Sequence, residues 1–296
     1  MLKHRLHLLP VVVILSALSV CAVAQEAKVL TPELVESLKS VGDVVISPDG
    51  EWIAYTLRLP REIDEKSGYP YSELYVVSYD GSVTKPFVTG KQNAGSPAWS
   101  PDGNYLTFTA RRENGSQVYG LPLAGGEAVQ LTKSKTGVSG YRWSPDGTMI
   151  AYVARDEKSE DQAKAEKAGK DWERVERDYN YHRIWVHDIA SGETRAVTPA
   201  EYEVWGFNWS PDGKSFVILA SEEATTDAGY MLKKIYNVNV ATGERELLHD
   251  PTAKCSTPVW SPDGSMIAWN GGVDMSDASM GTIFVLDVAG KSVENL

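Results

Sequence analysis

The tetrapeptide Ser-Pro-Asp-Gly occurs five times in the 296 residues of this chain, and it restricts the fold more than any other feature of the sequence. Proline presets a turn-forming φ, aspartate accepts hydrogen bonds from the backbone just ahead of it, and glycine tolerates a positive φ. Each copy therefore predicts a tight turn, in which aspartate and glycine are structural rather than catalytic. The residues predicted to form these turns are Asp49, Gly50, Asp102, Gly103, Asp146, Gly147, Asp212, Gly213, Asp263 and Gly264.

The sequence between the turns repeats as well. The copies begin 53, 44, 66 and 51 residues apart, and tryptophan precedes all of them except the first, where Ile46 stands. After each turn, apolar residues recur two apart, which is the period of a β-strand. These pairs are Ile53/Tyr55, Leu106/Phe108, Ile150/Tyr152, Phe216/Ile218 and Ile267/Trp269. An aliphatic–aromatic step, a second glycine turn and a further short run then predict two more strands in each repeat.

Four short antiparallel strands in each repeat are typical of a propeller blade. A β-sandwich, the alternative, does not explain why the same turn returns behind an aromatic residue. We therefore expect an all-β fold, a β-propeller of about five four-stranded blades, with a tryptophan filling the wedge between neighbouring blades. We expect a short helical lead-in at residues 25–40 and a propeller at 41–296, with blades at about 41–90, 91–133, 134–199, 200–251 and 252–296.

The first 24 residues have the pattern of a signal peptide. Lys3 and Arg5 give a basic start, residues 6–20 are almost wholly apolar, and small residues lead up to Ala24, after which we expect cleavage. The apolar run is shorter than the roughly 20 residues of a membrane-spanning helix. The mature chain is therefore expected to be periplasmic or secreted and free of the membrane. Acylation of Cys21 in a lipoprotein is the alternative, but Val20 is bulkier than the residue that such processing requires.

The charge and the cysteine content exclude several classes of function. The chain has 29 Lys and Arg against 40 Asp and Glu, a net charge of −11, and a pI near 5.0, which argues against nucleic acid as a partner. Two cysteines make neither a disulfide scaffold nor a cysteine-rich metal site. His182 and His187 lie an odd number apart, so on one strand they point to opposite faces. We expect surface or blade-edge histidines, no metal and no cofactor.

The repeats resemble the propeller repeat shared by the TolB protein and by serine peptidases of the prolyl oligopeptidase family, especially the acylaminoacyl-peptidase and dipeptidyl-peptidase branches. Two further features favour the peptidases. The segment from Leu30 to Gly50 resembles the short helix that leads into their first blade, with Thr31 as N-cap and Pro32 in the first helical position. The third repeat returns from a long charged insertion through the segment from Arg177 to Trp185, which is similar to that branch.

The resemblance implies a partner domain that the sequence does not contain. In these peptidases an α/β-hydrolase domain follows the propeller and holds the serine nucleophile on a GxSxG elbow. No such elbow occurs here, since the nearest string, at residues 137–141, lacks the final glycine. The resemblance therefore implies no catalytic residue in this chain, an incomplete seven- or eight-bladed ring, and a propeller that gates and positions oligopeptide substrates for a hydrolase domain. A free-standing TolB-like periplasmic propeller that binds a protein or a small ligand is the alternative.

Glu201 and Glu203 are the candidate substrate-binding residues. Dipeptidyl-peptidase relatives hold the free amino end of the substrate with paired propeller glutamates, and an ion pair of this kind has a clear physical basis. The two residues lie directly before Val204 and the fourth turn, so they also fit the approach to a strand, and the family's acidic motif differs in spacing.

The charged insertion at residues 156–177 has two interpretations. It is either a loop tolerated at the surface, since long insertions there cost little, or an arm that shapes access to a central cavity or holds a second subunit of a homo-oligomer. We expect two helical turns at residues 170–177.

Overall fold

The computed structural model describes residues 29–62, 64–112, 115–170, 179–276 and 280–296. The predicted signal peptide lies outside them. The chain divides into two compact units, residues 1–38 and 39–296. The first unit contains helix α1 (Pro32–Glu36), in which Thr31 Oγ1 accepts a hydrogen bond from the Leu34 amide at 3.2 Å. Pro32 occupies the first helical position, where its missing amide costs no hydrogen bond.

The second unit consists of five four-stranded antiparallel sheets, each a meander in which every strand pairs with the next along the chain. The first sheet contains β1 (Ser40–Ile46), β2 (Trp52–Leu59), β3 (Tyr71–Ser78) and β4 (Thr84–Val88). The second contains β5 (Gly95–Trp99), β6 (Tyr105–Arg112), β7 (Gly115–Pro122) and β8 (Val129–Gln130). The third contains β9 (Gly140–Trp143), β10 (Met149–Arg155), β11 (His182–Asp188) and β12 (Thr194–Ala196). The fourth contains β13 (Glu203–Trp209), β14 (Ser215–Ser221), β15 (Lys234–Asn239) and β16 (Arg245–His249). The fifth contains β17 (Val259–Trp260), β18 (Met266–Gly271), β19 (Thr282–Asp287) and β20 (Val293–Asn295).

This architecture confirms the all-β prediction and the five four-stranded blades. Each Ser-Pro-Asp-Gly copy connects the first and second strands of its sheet, and the geometry is the same in all five. In the fourth sheet, Ser210 Oγ donates to Asp212 Oδ1 at 2.6 Å and accepts from the Ser215 amide at 3.0 Å. Gly213 has φ +69°, a left-handed conformation that residues with a side chain rarely adopt. The turn is therefore held by its own residues.

Apolar clusters join each sheet to the next one in the chain. The cluster between the third and fourth sheets contains Val153, Ile184, Val204, Phe207 and Trp209, all buried. Similar clusters join the first sheet to the second, the second to the third, and the fourth to the fifth. The sheets are therefore packed face to face in chain order, as blades are.

The tryptophans before the turns face the preceding blade, in the position that the sequence predicts. Trp99 Nε1 donates to the Val45 carbonyl at 3.3 Å, and Trp143 Nε1 donates to Thr107 Oγ1 at 3.0 Å. Trp209 Nε1 lies 3.4 Å from the carbonyl of residue 142. Each of these indoles thus adds a directed hydrogen bond to an apolar contact between blades.

Within the described residues, two helices interrupt the sheets. α2 (Glu160–Lys167) lies in the insertion of the third sheet and begins with a capping box formed by Ser159 and Gln162. The helical turns expected at residues 170–177 lie outside the described residues apart from Lys170, so the observed helix is an earlier one. α3 (Thr226–Met231) connects β14 to β15. Of the helices within the described residues, none has both the length and the apolar character needed to cross a membrane.

Candidate functional site

A cavity of about 370 Å³ lies where the first strands of the second, third and fourth blades converge. We call it the channel cavity. β5, β9 and β13 supply most of its wall, and the beginning of β11 and the segment before β17 complete it. The side chains that matter below are Ser96, Tyr141, Arg142, His182, Glu203, Trp205 and Thr257.

A bulge in β13 shapes the wall of the channel cavity. The pairing of β13 with β14 shifts between Val204 and Gly206, so Trp205 lies in a bulge. Bulges of this kind redirect a side chain out of the regular alternation. The indole of Trp205 is 38% exposed, and its Nε1 donates to Ser221 Oγ at 2.8 Å, which fixes its orientation. A side chain on Gly206 would overlap Thr257, so the wall depends on a glycine there.

Glu203 and His182 form a part-buried polar contact at the wall of the channel cavity. Glu203 is 2% exposed, and its Oε2 accepts a hydrogen bond from the His182 amide at 2.7 Å. Its Oε1 lies 2.6 Å from His182 Nδ1. A buried carboxylate is stable only when it is paired and hydrogen-bonded, which His182 provides. A carboxylate can accept about four hydrogen bonds, so these two contacts leave Glu203 with further acceptor capacity.

The two candidate glutamates are separated by their surroundings. Glu203 begins β13 and lines the channel cavity, whereas Glu201 lies before the strand and is exposed. The structure therefore does not place both carboxylates in one site. One buried carboxylate is in place, and its neighbour is His182 rather than a second glutamate.

Arg142 and Tyr141 add a cation and a neutral hydroxyl to the wall of the cavity. Arg142 Nε donates to the Phe207 carbonyl at 3.1 Å, which connects β9 to β13. The loss of surrounding water lowers the pKa of Arg142, but a guanidinium stays charged at any physiological pH. Tyr141 donates from its hydroxyl to the Ser96 carbonyl at 2.8 Å, and burial raises the pKa of this phenol. Tyr141 therefore remains protonated.

The arrangement combines a carboxylate, a guanidinium, hydroxyl groups and an aromatic wall around one space. Such a set can hold a ligand that carries an amino group and peptide carbonyls, because each has a partner of opposite polarity. Within the described residues, no three His, Cys, Asp or Glu side chains are grouped so that they could hold a metal ion. Binding is the chemistry that this geometry supports.

Sequence reasoning missed most of this site. His182 was expected at the surface or a blade edge, but it contacts Glu203 and lines the cavity. Arg142 was not singled out, although a charged residue directly before the tryptophan of an otherwise apolar repeat was a usable indication. Nothing in the residue pattern marks the bulge at Trp205.

Comparisons with known proteins agree with the fold. Residues 40–180 match the family described as the TolB beta propeller domain. The chain is 27% identical over 298 residues to dipeptidyl-peptidase 5 of Porphyromonas gingivalis, an alignment that covers 88% of this chain and 41% of the relative. It is similar in structure to an acylaminoacyl peptidase from Pyrococcus horikoshii, with a TM-score of 0.63 and 17% identity, over 88% of this chain and 40% of that chain. A putative TolB from Agrobacterium tumefaciens aligns with a TM-score of 0.55 and 22% identity, over 87% of this chain and 80% of that chain.

The share of the relative's length that aligns with this chain differs between the peptidases and the TolB protein. The chain spans about two fifths of the length of both peptidases and four fifths of the TolB chain. The sequence repeat, the five sheets and the family match over residues 40–180 agree on a β-propeller fold that is similar to the TolB beta propeller domain.

Proposed function

We propose that this chain is the propeller part of an exported serine peptidase of the prolyl oligopeptidase family, and that it admits and positions short peptides for a hydrolase domain. The observation that carries the proposal is the channel cavity with the buried Glu203 at its wall. The similarity to dipeptidyl-peptidase 5 over 88% of this chain supports it.

Within this function, Glu203 anchors the free amino end of the peptide. An ammonium group has three donors and needs a desolvated anion to bind well, and Glu203 is the buried carboxylate of the cavity. His182 orients that carboxylate through two contacts. Glu201 is exposed and contributes at most long-range attraction, which salt screens.

Peptide binding tests this role directly. The tripeptide Ala-Ala-Phe, with a free or an acetylated amino end, is titrated into the chain by calorimetry. We expect the free amino end to be preferred and Glu203→Gln to weaken that preference by about tenfold, the loss of one charge-assisted contact. Glu201→Gln is the matched control and should leave both affinities unchanged. Equal binding of the two peptides to the wild-type chain, or no peptide binding at all, contradicts the anchor and favours the alternative of a TolB-like binding module.

Two further measurements test the remaining parts of the proposal. Mass spectrometry of the exported protein should show Gln25 as its first residue if the signal peptide is cleaved after Ala24. The gene should encode, beyond Leu296, a GxSxG elbow followed by Asp and His. A stop codon directly after Leu296 would overturn the peptidase assignment, and an N-terminus that retains the apolar run would overturn the export.

A further inference from the structure

A second cavity, of about 590 Å³, adjoins the channel cavity. Trp205 and Thr257 line both of them. One part of its wall is apolar and comes from Trp205, Leu219, Tyr230 and Met280, while the rest includes two lysines, Lys233 and Lys254. We call it the lysine cavity.

Lys233 is a half-buried cation, and one hydrogen bond uses only part of the donor capacity of its ammonium group. Its Nζ donates to the Cys255 carbonyl at 3.0 Å, so two of its three N–H groups remain for other partners. Among the ion pairs formed by the described residues, none includes Lys233 or Lys254. Burial lowers the pKa of Lys233, which reflects a cation taken from water without a carboxylate in exchange.

Lys233 combines partial burial with the lack of a carboxylate partner among the described residues. The next residue, Lys234, shows the ordinary solution, because its Nζ lies 2.8 Å from Asp250 Oδ2. A desolvated cation without a counter-charge is costly, and an anionic ligand removes that cost. The two neighbouring lysines therefore differ in what they are available to bind.

The backbone around the lysine cavity is held firmly. The Lys254 carbonyl accepts from the Gly272 amide at 2.9 Å, and the Ser256 amide donates to the Asn270 carbonyl at 2.8 Å. Lys254 Nζ lies over the ring of Tyr230, 5.7 Å from its centroid, a cation–π geometry. A β-carbon on Gly229 would lie 2.6 Å from the Trp205 ring, so the close approach of α3 to this indole requires a glycine. The residues that line the lysine cavity are therefore held in place by hydrogen bonds and close packing.

We propose that the lysine cavity binds a carboxylate carried next to an apolar group, with Lys233 and Lys254 as its partners and Trp205, Leu219 and Met280 as the apolar surface. In a peptide this carboxylate is either the free carboxyl end or the side chain of Glu or Asp. The identity of the ligand as a peptide rests on the function proposed above, and the site adds a second recognition element beyond the amino-end anchor. A short peptide held at both ends would be selected by length as well as by charge.

Three peptides with acetylated amino ends test the proposal, because acetylation removes any contribution of Glu203. They are Ac-Ala-Ala-Phe with a free carboxyl end, the same peptide as its amide, and Ac-Ala-Phe-Glu amide, which carries only a side-chain carboxylate. Titration by calorimetry should show the first peptide binding about tenfold more tightly than its amide, and less tightly as NaCl is raised. Recovered affinity for the third peptide would assign the site to side-chain carboxylates as well, and no recovery would assign it to the carboxyl end.

Variants connect the preference to the lysines. Lys233→Gln should abolish the difference between carboxylate and amide, Lys233→Arg should retain part of it, and Lys254→Gln should reduce it. Lys234→Gln is the matched control and should leave the preference intact, since Lys234 is paired with Asp250. Equal affinities for carboxylate and amide in the wild-type chain, or an unchanged preference in Lys233→Gln, overturn the proposal. If Glu203 does not bind the amino end, only the comparison of free with acetylated amino ends changes. The test of the lysine cavity uses acetylated peptides throughout, so the two proposals can fail independently.

Discussion

The first and fourth blades carry the same repeat and differ in what covers them. Val41 and Val204 are equivalent, since each lies just before the bulge of the first strand of its sheet, but they are 58% and 3% exposed. Ile46 stands where the fourth blade has Trp209, and these residues are 59% and 8% exposed. Val204 and Trp209 pack against the third blade. The local repeat therefore builds the sheet, and the neighbouring sheet decides how much each residue stabilises it.

The largest expected effect concerns the residue before the turn. Trp209→Ala should destabilise the chain by about 3–5 kcal/mol, because it removes a buried ring from the contact between two blades. Ile46→Ala, the equivalent change in the first blade, should cost less than about 1 kcal/mol, as at an exposed site. Chemical denaturation of both variants measures the difference. Equal losses would mean that another surface covers the first blade in solution.

The same comparison can be made with an identical substitution. Val204→Ala should cost about 2 kcal/mol, the loss of two buried carbon groups, while Val41→Ala should stay within about 0.5 kcal/mol of the wild-type chain. The two side chains are the same and lie in equivalent positions, so the difference reports the contribution of the third blade alone. Thermal and denaturant unfolding, monitored by tryptophan fluorescence, provide the measurement. A costly Val41→Ala would again reveal a covered first blade.

The sequence predicts the parts of the structure that neighbouring residues determine. The turn at Ser210 and the strand pair Phe216/Ile218 depend on φ preferences and on a two-residue period, and both are found where expected. The same pattern does not distinguish Val41 from Val204, because exposure depends on which sheet lies opposite. Local rules therefore predict the blade but not its burial.

The candidate site was less predictable for a related reason. Charge and position in the sequence make Glu203 a candidate, but its partner His182 lies 21 residues earlier, and only the packing of β11 against β13 brings the two together. Lys234 has Asp250 as a partner, whereas Lys233 and Lys254 form no ion pair among the described residues and line a cavity. Contacts between blades assemble both cavities, and a repeat read along one chain contains no information about them.

The smallest expected effect lies in the Ser-Pro-Asp-Gly turns, which the first and last blades share. The hydroxyl of Ser261 and the amide of Ser265 donate to Asp263 and lower its pKa to about 2. In the first blade, the hydroxyl of Ser47 and the amide of Glu51 lower the pKa of Asp49 in the same way. A carboxylate whose pKa is lower in the folded than in the unfolded state stabilises the fold above the unfolded pKa, near 4, and loses that contribution as the pH falls toward 2. Melting temperatures measured from pH 5 to pH 2.5 should therefore fall less steeply in Asp263→Asn and Asp49→Asn than in the wild-type chain.

Glu294→Gln, at an exposed acid of the fifth sheet, is the control for these variants and should leave the slope unchanged. The two aspartate variants should match each other, although one lies in the first blade and one in the fifth. In both turns these hydrogen bonds join the Ser-Pro-Asp-Gly copy to itself and to the residue that follows it, so the neighbouring blade has no part in them. A large difference between Asp49→Asn and Asp263→Asn would show that even the turns depend on packing between blades, and the separation of local from neighbour-dependent stability would then fail.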